Sequence, residues 1–294
     1  MTPLLEVRGL TKHFTSKGGM WRSPTLVKAV DGVDFSIEEG EMFGLVGESG
    51  CGKSTTGRCV LRLVEPTAGD VRFRGESILT YSRERMRQAR RDMQVVFQDP
   101  YSSLNPRMRV RDIVEEPLII HKLGTRDERR ARVEELFELV GLEREHLERY
   151  PHEFSGGQRP RIGIARALAL KPALIVADEA VSALDVSIQA QVVKLLLDLQ
   201  AQLKLTYLFI AHDLRLVEHI CQRAAVMFRG RIVEMGDTKS LFAQPAHPYT
   251  RALLSAIPVL DPDAPRHRIE LDPTSFTHGA PLREVAAGHW AAVS

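Results

Sequence analysis

The chain has 294 residues, of which 44% are hydrophobic and 27% charged, an ordinary composition for one large globular domain or a core with a smaller subdomain. Its 40 basic and 38 acidic residues give a formal net charge of +2, so bulk electrostatics give no reason to expect a nucleic-acid partner. The three cysteines lack metal-ligand spacing, and we find neither a secretory signal nor the roughly 20 apolar residues that would span a bilayer.

Short β-rich segments separated by turn residues fill the first part of the chain. Strands are predicted over residues 4–8, 33–37, 42–46, 71–74 and 93–97. The third strand runs straight into a glycine-rich loop. A helix is predicted after this loop, over residues 55–64, ending before Pro66.

Helical patterns replace strands over residues 101–150. Thr125 and Glu128 fit a capping box, in which the hydroxyl and the carboxylate satisfy each other's backbone donors. Apolar residues then recur at helical spacing, and Gly141 can end the helix in a left-handed cap. The sequence therefore predicts a helical subdomain inserted between two strands of the core.

Core elements resume after this block. Residues 173–177 are apolar without alternation, which is typical of a buried strand in a parallel sheet. An amphipathic helix is predicted over 188–203, and strands over 206–210, 224–228 and 232–234. Beyond Gly236 we expect a short helix, a second helix over 249–256 and a tail that contains Pro and Asp.

The glycine-rich loop carries the most specific motif. Gly47 to Ser54 matches G-x-x-x-x-G-K-S, after a predicted strand and before a predicted helix. Its backbone amides and the helix N-terminus suit phosphate oxygens, Lys53 suits the β- and γ-phosphates, and the hydroxyl of Ser54 suits Mg²⁺. A chance glycine turn is the alternative, and the strand and helix on either side disfavour it. The loop predicts binding of ATP with Mg²⁺.

An acidic pair closes the predicted buried strand. Asp178 is suited to holding Mg²⁺ through water, and Glu179 to orienting an attacking water as general base. The alternative is a strand that ends in solvated acids, and it loses weight downstream of a phosphate loop.

Ser155-Gly-Gly-Gln158 begins another predicted helix. Ser155 can cap it, and the two glycines let a ligand approach the exposed amides. On its own this segment favours a plain N-cap. Together with the phosphate loop it indicates a second anion-binding helix terminus.

These motifs, with Gln98 at a strand end, Ser182-Ala-Leu-Asp185 and His212, occur in the order found in ATP-binding-cassette (ABC) ATPases. They resemble that family's Walker A motif, Q-loop, signature, Walker B motif, D-loop and switch histidine, over residues 4–236. The resemblance implies an α/β fold of the P-loop NTPase (RecA-like) type. Its parallel-sheet core would carry an N-terminal antiparallel β subdomain and an inserted α-helical subdomain at about 101–158.

The resemblance also implies roles for single residues. Two cassettes would face each other head to tail, with the signature residues Ser155, Gly156, Gly157 and Gln158 acting on the partner's ATP. Glu179, His212 and Gln98 would form the catalytic set, and Ser54, Gln98 and Asp178 would hold Mg²⁺. The residues expected on this chain's own ATP are Phe14, stacked on adenine, and Gly47, Glu48, Ser49, Gly50, Cys51, Gly52, Lys53, Ser54 and Thr55.

A narrower resemblance points to the oligopeptide/dipeptide and nickel importer branch, and within it to the second (F-type) ATPase of a pair. It rests on the phosphate loop, on Phe97 to Pro106 and on His247 to Pro258. It implies an ATPase domain over 1–236 and a branch-specific extension over 237–294. The implied partners are a second, different ABC ATPase, two transmembrane permeases and, indirectly, an extracytoplasmic binding protein. The chain would lie at the cytoplasmic face of the plasma (inner) membrane.

Several positions depart from the family pattern. Pro160 follows the signature, and if Ser155 is the cap we expect a locally distorted helix, so that Pro160→Gln would raise the coupled ATPase rate. Ala180 replaces a usual proline, which loosens the loop without removing the carboxylate, and Ala211 precedes the switch histidine. The tail after residue 258 has no cysteine, so no iron–sulfur cluster is expected, and residues 286–294 match no pattern of the family.

Two other function classes stay open at this point. A soluble ABC ATPase acting on DNA or the ribosome would carry long coiled coils or a second cassette, and this chain shows one compact helical block and one cassette. A catalytically impaired regulatory cassette is kept open by Pro160 and Ala180, whereas Glu179 and His212 argue against it.

Overall fold

A computed structural model of the chain describes residues 2–15, 26–99, 103–182, 184–256, 269–272 and 276–293. It comprises two compact units, the first formed by Met1–Leu79 with Phe209–Ser294 and the second by Thr80–Leu208. Within the described ranges, every helix is too short or too polar to cross a membrane.

The described residues form twelve strands and nine α-helices. The strands are β1 (Leu5–Thr15), β2 (Leu26–Ile37), β3 (Met42–Val46), β4 (Ala68–Phe73), β5 (Glu76–Ser77), β6 (Met93–Val96), β7 (Leu174–Asp178), β8 (Thr206–Ala211), β9 (Arg223–Phe228), β10 (Arg231–Asp237), β11 (Arg283–Ala286) and β12 (His289–Ala291). The α-helices are α1 (Lys53–Val60), α2 (Arg83–Ala89), α3 (Val110–Ile120), α4 (Arg126–Leu139), α5 (Gln158–Leu168), α6 (Val186–Leu203), α7 (Leu214–Ile220), α8 (Thr238–Ala243) and α9 (Pro248–Ser255).

The first unit opens with an antiparallel sheet in the order β2-β1-β4-β5. Val33, Phe35 and Ile37 are buried, and the residues between them are more exposed. This alternation puts one face of β2 on the core and leaves the other closer to solvent. The N-terminal antiparallel sheet implied by the family resemblance is therefore present.

A second sheet of the first unit runs in the order β11-β12-β10-β9-β3. β3 and β9 are parallel, and β10 pairs antiparallel to β9. All five residues of β3 are buried, as is expected for a strand covered on both faces. Because β3 ends at Val46, the phosphate loop starts at the carboxyl end of a buried strand.

In the second unit, β6 and β7 form a parallel pair, and β8, which begins in this unit, neighbours β7. Every residue of β7 is buried, which confirms the predicted strand without alternation. The core is thus α/β and parallel at β3–β9 and β6–β7, as predicted.

The second unit contains helices in the part of the chain, residues 101–150, where helical patterns were predicted. Thr125 and Glu128 form the reciprocal capping box at the start of α4, with Thr125 N donating to Glu128 Oε2 at 2.6 Å. Gly141 follows α4 with a left-handed φ of 70°. α3 packs against both α4 and α5.

The helix after the phosphate loop differs from the prediction at both ends. It starts at Lys53 and ends at Val60, where residues 55–64 were predicted. Arg62 takes a left-handed φ of 49°, and Leu63 N donates to Arg58 O at 2.8 Å. This backbone cap ends the helix at Val60, six residues before Pro66, which was expected to limit it.

The C-terminal region contains structure that the sequence did not predict. α8 and α9 confirm the two helices expected after Gly236. Beyond them, β11 and β12 form an antiparallel hairpin, and β12 pairs with β10. Residues 257–258 of the branch-specific segment lie outside the described residues, as do tail residues 259–268, 273–275 and 294 and residues 100–102.

Candidate functional site

The predicted site residues lie in both units. The first unit contains Phe14, the phosphate loop from Gly47 to Thr55, and His212, whereas the second contains Gln98, the signature segment, the acidic pair and the D-loop.

Two glycines, one at each end of the phosphate loop, lie where a side chain would clash with neighbouring backbone. Gly47 has a φ of 149°, and a Cβ on it would lie 2.2 Å from Met227 O. Gly52 has a φ of 115°, and its Cβ would lie 2.1 Å from Ala29 O. Both positions combine a backbone conformation that L-residues avoid with a close approach of neighbouring backbone. The loop conformation therefore depends on glycine at both ends.

Lys53 lies inside the curve of the loop. Its side chain is only 3% exposed, and Nζ donates to Gly47 O at 2.7 Å and to Glu48 O at 3.0 Å. These two contacts place the ammonium beside the backbone of the loop, where it can meet the phosphate oxygens of a bound nucleotide.

The rest of the loop favours an anion too. Lys53, Ser54 and Thr55 form the first turn of α1, which contains no acidic residue. The unpaired N–H groups of a helix N-terminus and the helix dipole attract negative charge. Burial raises the pKa of the Cys51 thiol, so this side chain stays uncharged at neutral pH. Glu48, Ser49 and Gly50 are exposed, which leaves the loop open to a ligand.

Two further predicted residues of the first unit are accessible. The Phe14 side chain is 43% exposed on β1, and Lys12 Nζ lies 5.0 Å from the centroid of its ring. An exposed ring of this kind offers a face on which a base can stack. His212 follows β8 directly and is exposed, and Asp213 after it accepts from Arg215 N and caps α7.

In the second unit the structure brings Gln98 and Glu179 together. Gln98 Nε2 donates to Glu179 Oε2 at 2.8 Å, although the two residues are 81 positions apart. Glu179 has a left-handed φ of 48°, a conformation that is rare outside glycine and asparagine. Such backbone strain occurs preferentially at functional sites.

Asp178 precedes Glu179 as the last residue of β7 and is only 4% exposed. Its carboxylate therefore lies at the carboxyl end of a parallel strand, where ligands of open α/β sheets bind. The buried acid and its more exposed neighbour have different environments, which suits a division between a metal-facing and a water-facing role.

The D-loop is tied to the same acidic segment. Ser182 Oγ donates to Glu179 O at 2.9 Å. Asp185 is the N-cap of α6 and accepts from Ile188 N at 3.0 Å. Hydrogen bonds from Ser187 and from the Ile188 N–H lower the pKa of Asp185, so it stays ionised at neutral pH. Ala183 lies outside the described residues.

The expected cap of the signature helix is wrong. α5 starts at Gln158 with Gly157 as its N-cap, and no side chain caps it. Ser155 Oγ instead lies 3.2 Å from Gln158 Oε1, which also accepts from Ser155 N at 3.1 Å. The chain turns before the helix, with Gln158 N donating to Ser155 O at 3.1 Å, and the hydroxyl is used within that turn. Ser155 and Gly156 are exposed, so this end of the helix faces solvent.

The expected distortion at Pro160 is not seen. Pro160 is the third residue of α5, which continues unbroken to Leu168, and Pro160 is buried. Proline is tolerated in the first turn of a helix because the first N–H groups have no intrahelical acceptor. The physical basis for a gain of activity in Pro160→Gln is thereby removed.

One residue in contact with the phosphate loop was missed by the sequence analysis. Tyr249 of α9 accepts a hydrogen bond from Glu48 N at 3.1 Å. The segment His247 to Pro258 had been singled out only as a mark of the importer branch. Nothing in local spacing indicates this contact, because Glu48 and Tyr249 are 201 positions apart.

No group of three or more His, Cys, Asp and Glu side chains in the described residues could hold a metal ion by itself. The residues predicted for Mg²⁺ supply a hydroxyl, a carboxylate and an amide, and Mg²⁺ prefers such oxygen ligands with several waters and substrate phosphates. The chemistry of this donor set therefore fits Mg²⁺ that arrives with a nucleotide.

Comparison with known protein families gives two matches. A model described as "ABC transporter" matches residues 30–182, and one described as "Oligopeptide/dipeptide transporter, C-terminal region" matches residues 233–281. The two matched regions together cover the phosphate loop, the signature, the acidic pair and α9.

Similar proteins carry consistent names. The chain is 55% identical to the oligopeptide transport ATP-binding protein OppF of Bacillus subtilis strain 168, over 98% of this chain and 95% of that protein. It is 52% identical to the dipeptide transport ATP-binding protein DppF of Haemophilus influenzae, over 92% and 83%. A putative peptide import ATP-binding protein of Brucella ovis is 58% identical, over 91% and 82%.

Solved structures with this fold are ATP-binding cassettes. A dimeric post-hydrolysis state of the cassette MJ0796 bound to ADP and Pi matches with a TM-score of 0.69 and 29% identity, over 80% of this chain and 98% of that one. CbiO1 of Clostridium perfringens, part of the transporter complex cbiONQ, matches with a TM-score of 0.71 and 28% identity, over 83% and 92%.

Proposed function

The chain belongs to the ABC transporter family of ATP-binding cassettes, and from this we propose that it is the ATP-hydrolysing subunit of an importer for di- and oligopeptides. The observation that carries the proposal is the phosphate loop, with its obligatory glycines and the buried ammonium of Lys53. Binding and hydrolysis of ATP follow from membership of the family. The assignment of peptides as the transported substrate goes beyond membership of the family.

We propose that the loop residues from Gly47 to Thr55 bind the phosphates and that Phe14 stacks on adenine. The Lys53 ammonium would exchange its contacts with Gly47 O and Glu48 O for phosphate oxygens, which carry full negative charge and accept stronger hydrogen bonds. Positioning and charge stabilisation supply most of the catalysis in phosphoryl transfer.

Glu179 is proposed as the general base for the attacking water. Its contact with Gln98 Nε2 holds the carboxylate in one orientation, and a base is effective only when it lies within hydrogen-bond reach of the proton that it removes. His212 is proposed to hydrogen-bond the γ-phosphate, and its exposed position after β8 is compatible with that role.

Mg²⁺ is proposed to be held by Ser54, Gln98 and Asp178 together with the nucleotide. Bound there, the ion would neutralise charge on the phosphate oxygens and orient them for in-line attack. The low exposure of Asp178 suits a carboxylate whose charge is balanced by a cation.

The signature segment is proposed to act on the ATP of a second cassette. Ser155 and Gly156 are exposed at the start of α5, where helix N–H groups can meet an anion, and Gly157 and Gln158 complete the segment. Ser182 and Asp185 of the D-loop are proposed to contact the partner cassette. The dimeric state of the similar cassette MJ0796 supports an assembly of this kind.

The peptide assignment rests on the C-terminal extension and on the relatives. We propose that residues 1–236 form the ATPase domain, with a helical subdomain at about 101–158, and that 237–294 form the extension. The match to the oligopeptide/dipeptide transporter C-terminal region, over residues 233–281, supports this boundary. The similar proteins OppF and DppF are named for oligopeptide and dipeptide transport.

Two permeases and a second, different cassette are the proposed partners, with an extracytoplasmic binding protein acting through the permeases. The chain would lie at the cytoplasmic face of the membrane as a peripheral subunit. A soluble ATPase without a transport role and a regulatory cassette are both disfavoured, because the similar proteins are named as transport ATP-binding proteins.

The test is uptake of a labelled dipeptide and a labelled oligopeptide by cells that lack this chain. Uptake should return with the wild-type chain and fail to return with Glu179→Gln. Labelled nickel serves as the competing solute. Peptide uptake that is independent of the chain, or restoration of nickel uptake alone, would reject the peptide assignment.

A further inference from the structure

One tyrosine of the C-terminal extension contacts the phosphate loop. Tyr249 is the second residue of α9, its side chain is 1% exposed, and its hydroxyl oxygen accepts from Glu48 N at 3.1 Å. The extension therefore contacts the second residue of the loop that binds ATP phosphates.

The contact bears on Lys53 through a single peptide group. The N–H of Glu48 and the C=O of Gly47 belong to the same planar unit, and in a trans peptide they point in opposite directions. Gly47 O accepts from Lys53 Nζ at 2.7 Å. Tyr249 thus holds one edge of this peptide and Lys53 holds the other, so a rotation of the plane would disturb both hydrogen bonds.

Contacts from outside the loop help to fix the orientation of the Gly47–Glu48 peptide. Gly47 has no side chain to restrict its dihedral angles, and Glu48 and Ser49 after it are exposed. On the other side of the loop, Gly230 N donates to Cys51 O at 2.8 Å. The Tyr249 hydroxyl and the Gly230 amide therefore bind the loop backbone at two separate positions, Glu48 and Cys51.

Tyr249 is itself held firmly. The centroid of its ring lies 4.3 Å from that of Phe228, at the end of β9. His247 is the N-cap of α9, and its Nδ1 accepts from Tyr249 N at 3.1 Å. A ring packed on one side and a backbone capped on the other leave the hydroxyl little freedom.

The start of α9 is anchored to the tail through Glu234. This carboxylate is fully buried and accepts from Ala246 N at 2.7 Å and from His247 N at 3.1 Å. His289 Nε2 of β12 lies 2.7 Å from Glu234 Oε1. Because a buried carboxylate is stable only when it is paired and hydrogen-bonded, the tail hairpin supports the placement of α9.

We propose that Tyr249 is a positioning residue for ATP binding, which orients the Gly47–Glu48 peptide and through it the Lys53 ammonium. The tail hairpin takes part through His289 and Glu234. The extension would thus act on the nucleotide site of its own chain, in addition to marking the importer branch. This inference rests on the proposed ATPase function.

The test compares two substitutions of the same kind in the purified full-length chain. Tyr249→Phe removes the hydroxyl that meets Glu48 N. Tyr207→Phe is the matched control, because Tyr207 is fully buried and its hydroxyl has no hydrogen-bond partner among the residues that the structure describes. Affinity for ATP is measured by isothermal titration calorimetry, and thermal unfolding is recorded for both variants.

Tyr249→Phe should weaken ATP binding about five- to tenfold, whereas Tyr207→Phe should leave it within about twofold. In the assembled transporter, Tyr249→Phe should raise KM for ATP more than it lowers kcat, because the lost contact prepares the binding of phosphate. His289→Ala should cause a smaller loss of affinity. In the double variant with Tyr249→Phe, His289→Ala should lower the affinity for ATP by less than it does alone, because both substitutions act through the position of the Tyr249 hydroxyl.

Hydrogen exchange gives a readout that does not depend on ATP binding. In the wild-type chain the Glu48 amide should exchange more slowly than the exposed Ser49 amide, and Tyr249→Phe should abolish that difference. Equal exchange in the wild type, an affinity of Tyr249→Phe within twofold of wild type, or an equal loss in Tyr207→Phe would each overturn the proposal. A wild-type chain that neither binds nor hydrolyses ATP would instead refute the proposed function.

Discussion

Gly47 and Gly50 lie in the same loop, but alanine at the two positions meets different surroundings. A Cβ at Gly47 would lie 2.2 Å from Met227 O and 2.8 Å from Cys51 Sγ. At Gly50, where φ is 81°, a Cβ would meet nothing within 4 Å. Gly47→Ala and Gly50→Ala therefore separate the cost of the backbone conformation from the cost of crowding.

Both substitutions force an L-residue into a sparsely populated region, at about 1–3 kcal/mol. Gly47→Ala adds a clash with rigid backbone, which should lower the free energy of unfolding by about 1–3 kcal/mol more. We expect losses of about 4 kcal/mol for Gly47→Ala and about 2 kcal/mol for Gly50→Ala. With an unfolding entropy of about 0.6 kcal/mol/K for a chain of this length, Tm should fall by about 7 °C for Gly47→Ala and about 3 °C for Gly50→Ala.

The assay is thermal unfolding of the purified chain without nucleotide, followed by circular dichroism or calorimetry. Omitting nucleotide matters, because a ligand that binds only the folded state would add its own contribution to Tm. Equal losses for the two variants, or a larger loss for Gly50→Ala, would refute the reasoning about Met227 O.

Three further predictions concern stability. Thr125→Ala should lower the free energy of thermal unfolding by about 1 kcal/mol, because it removes the capping box of α4. An unchanged stability would show that the capping box does not stabilise the fold. Pro160→Ala should change stability by less than about 1 kcal/mol, whereas a proline in a helix interior costs about 3 kcal/mol. A gain of stability of about 3 kcal/mol would show that Pro160 does distort α5. Burial raises the pKa of the Cys59 thiol from 9.0 to about 11. Between these values the unfolded state loses its proton and the folded state keeps it, so stability falls as pH rises. In urea unfolding, the margin of wild type over Cys59→Ala should shrink from pH 8 to about pH 10.5, and a constant margin would contradict this.

Local patterns predicted much of the fold. β3 begins and ends at the predicted residues, and the capping box at Thr125 and the left-handed Gly141 are both present. These features depend on residues close together in the chain, where spacing and turn chemistry carry the information. The N-terminal sheet and the parallel core likewise follow from strand patterns that one or two buried faces impose.

Long-range hydrogen bonds account for most of what the sequence did not predict. The hairpin of β11 and β12 is short, its first strand is exposed, and it is held by pairing with β10 and by the contact between His289 and Glu234. The pattern of apolar residues in the tail does not indicate that it pairs with β10 or contacts Glu234. The contact of Tyr249 with Glu48 N, across 201 positions, is of the same kind.

The error at Ser155 has a different origin. A serine before two glycines and a glutamine suggests an N-cap, and the glutamine does reach back to Ser155 N. The chain makes a turn before α5, in which Gln158 N donates to Ser155 O at 3.1 Å, and the cap lies at Gly157. Gly157 has an ordinary helical φ of −81°, so the shift of the cap from Ser155 to Gly157 does not depend on a conformation that only glycine adopts.

The central claim is that this chain hydrolyses ATP with Glu179 as general base. The most direct measurement is phosphate release by the complex purified with its partner subunits, for wild type, for Glu179→Gln and for Glu84→Gln, an exposed surface control. Glu179→Gln should lower the rate about 10²- to 10⁴-fold and leave ATP binding intact, while Glu84→Gln stays at the wild-type rate. Full-rate hydrolysis by Glu179→Gln would contradict the account.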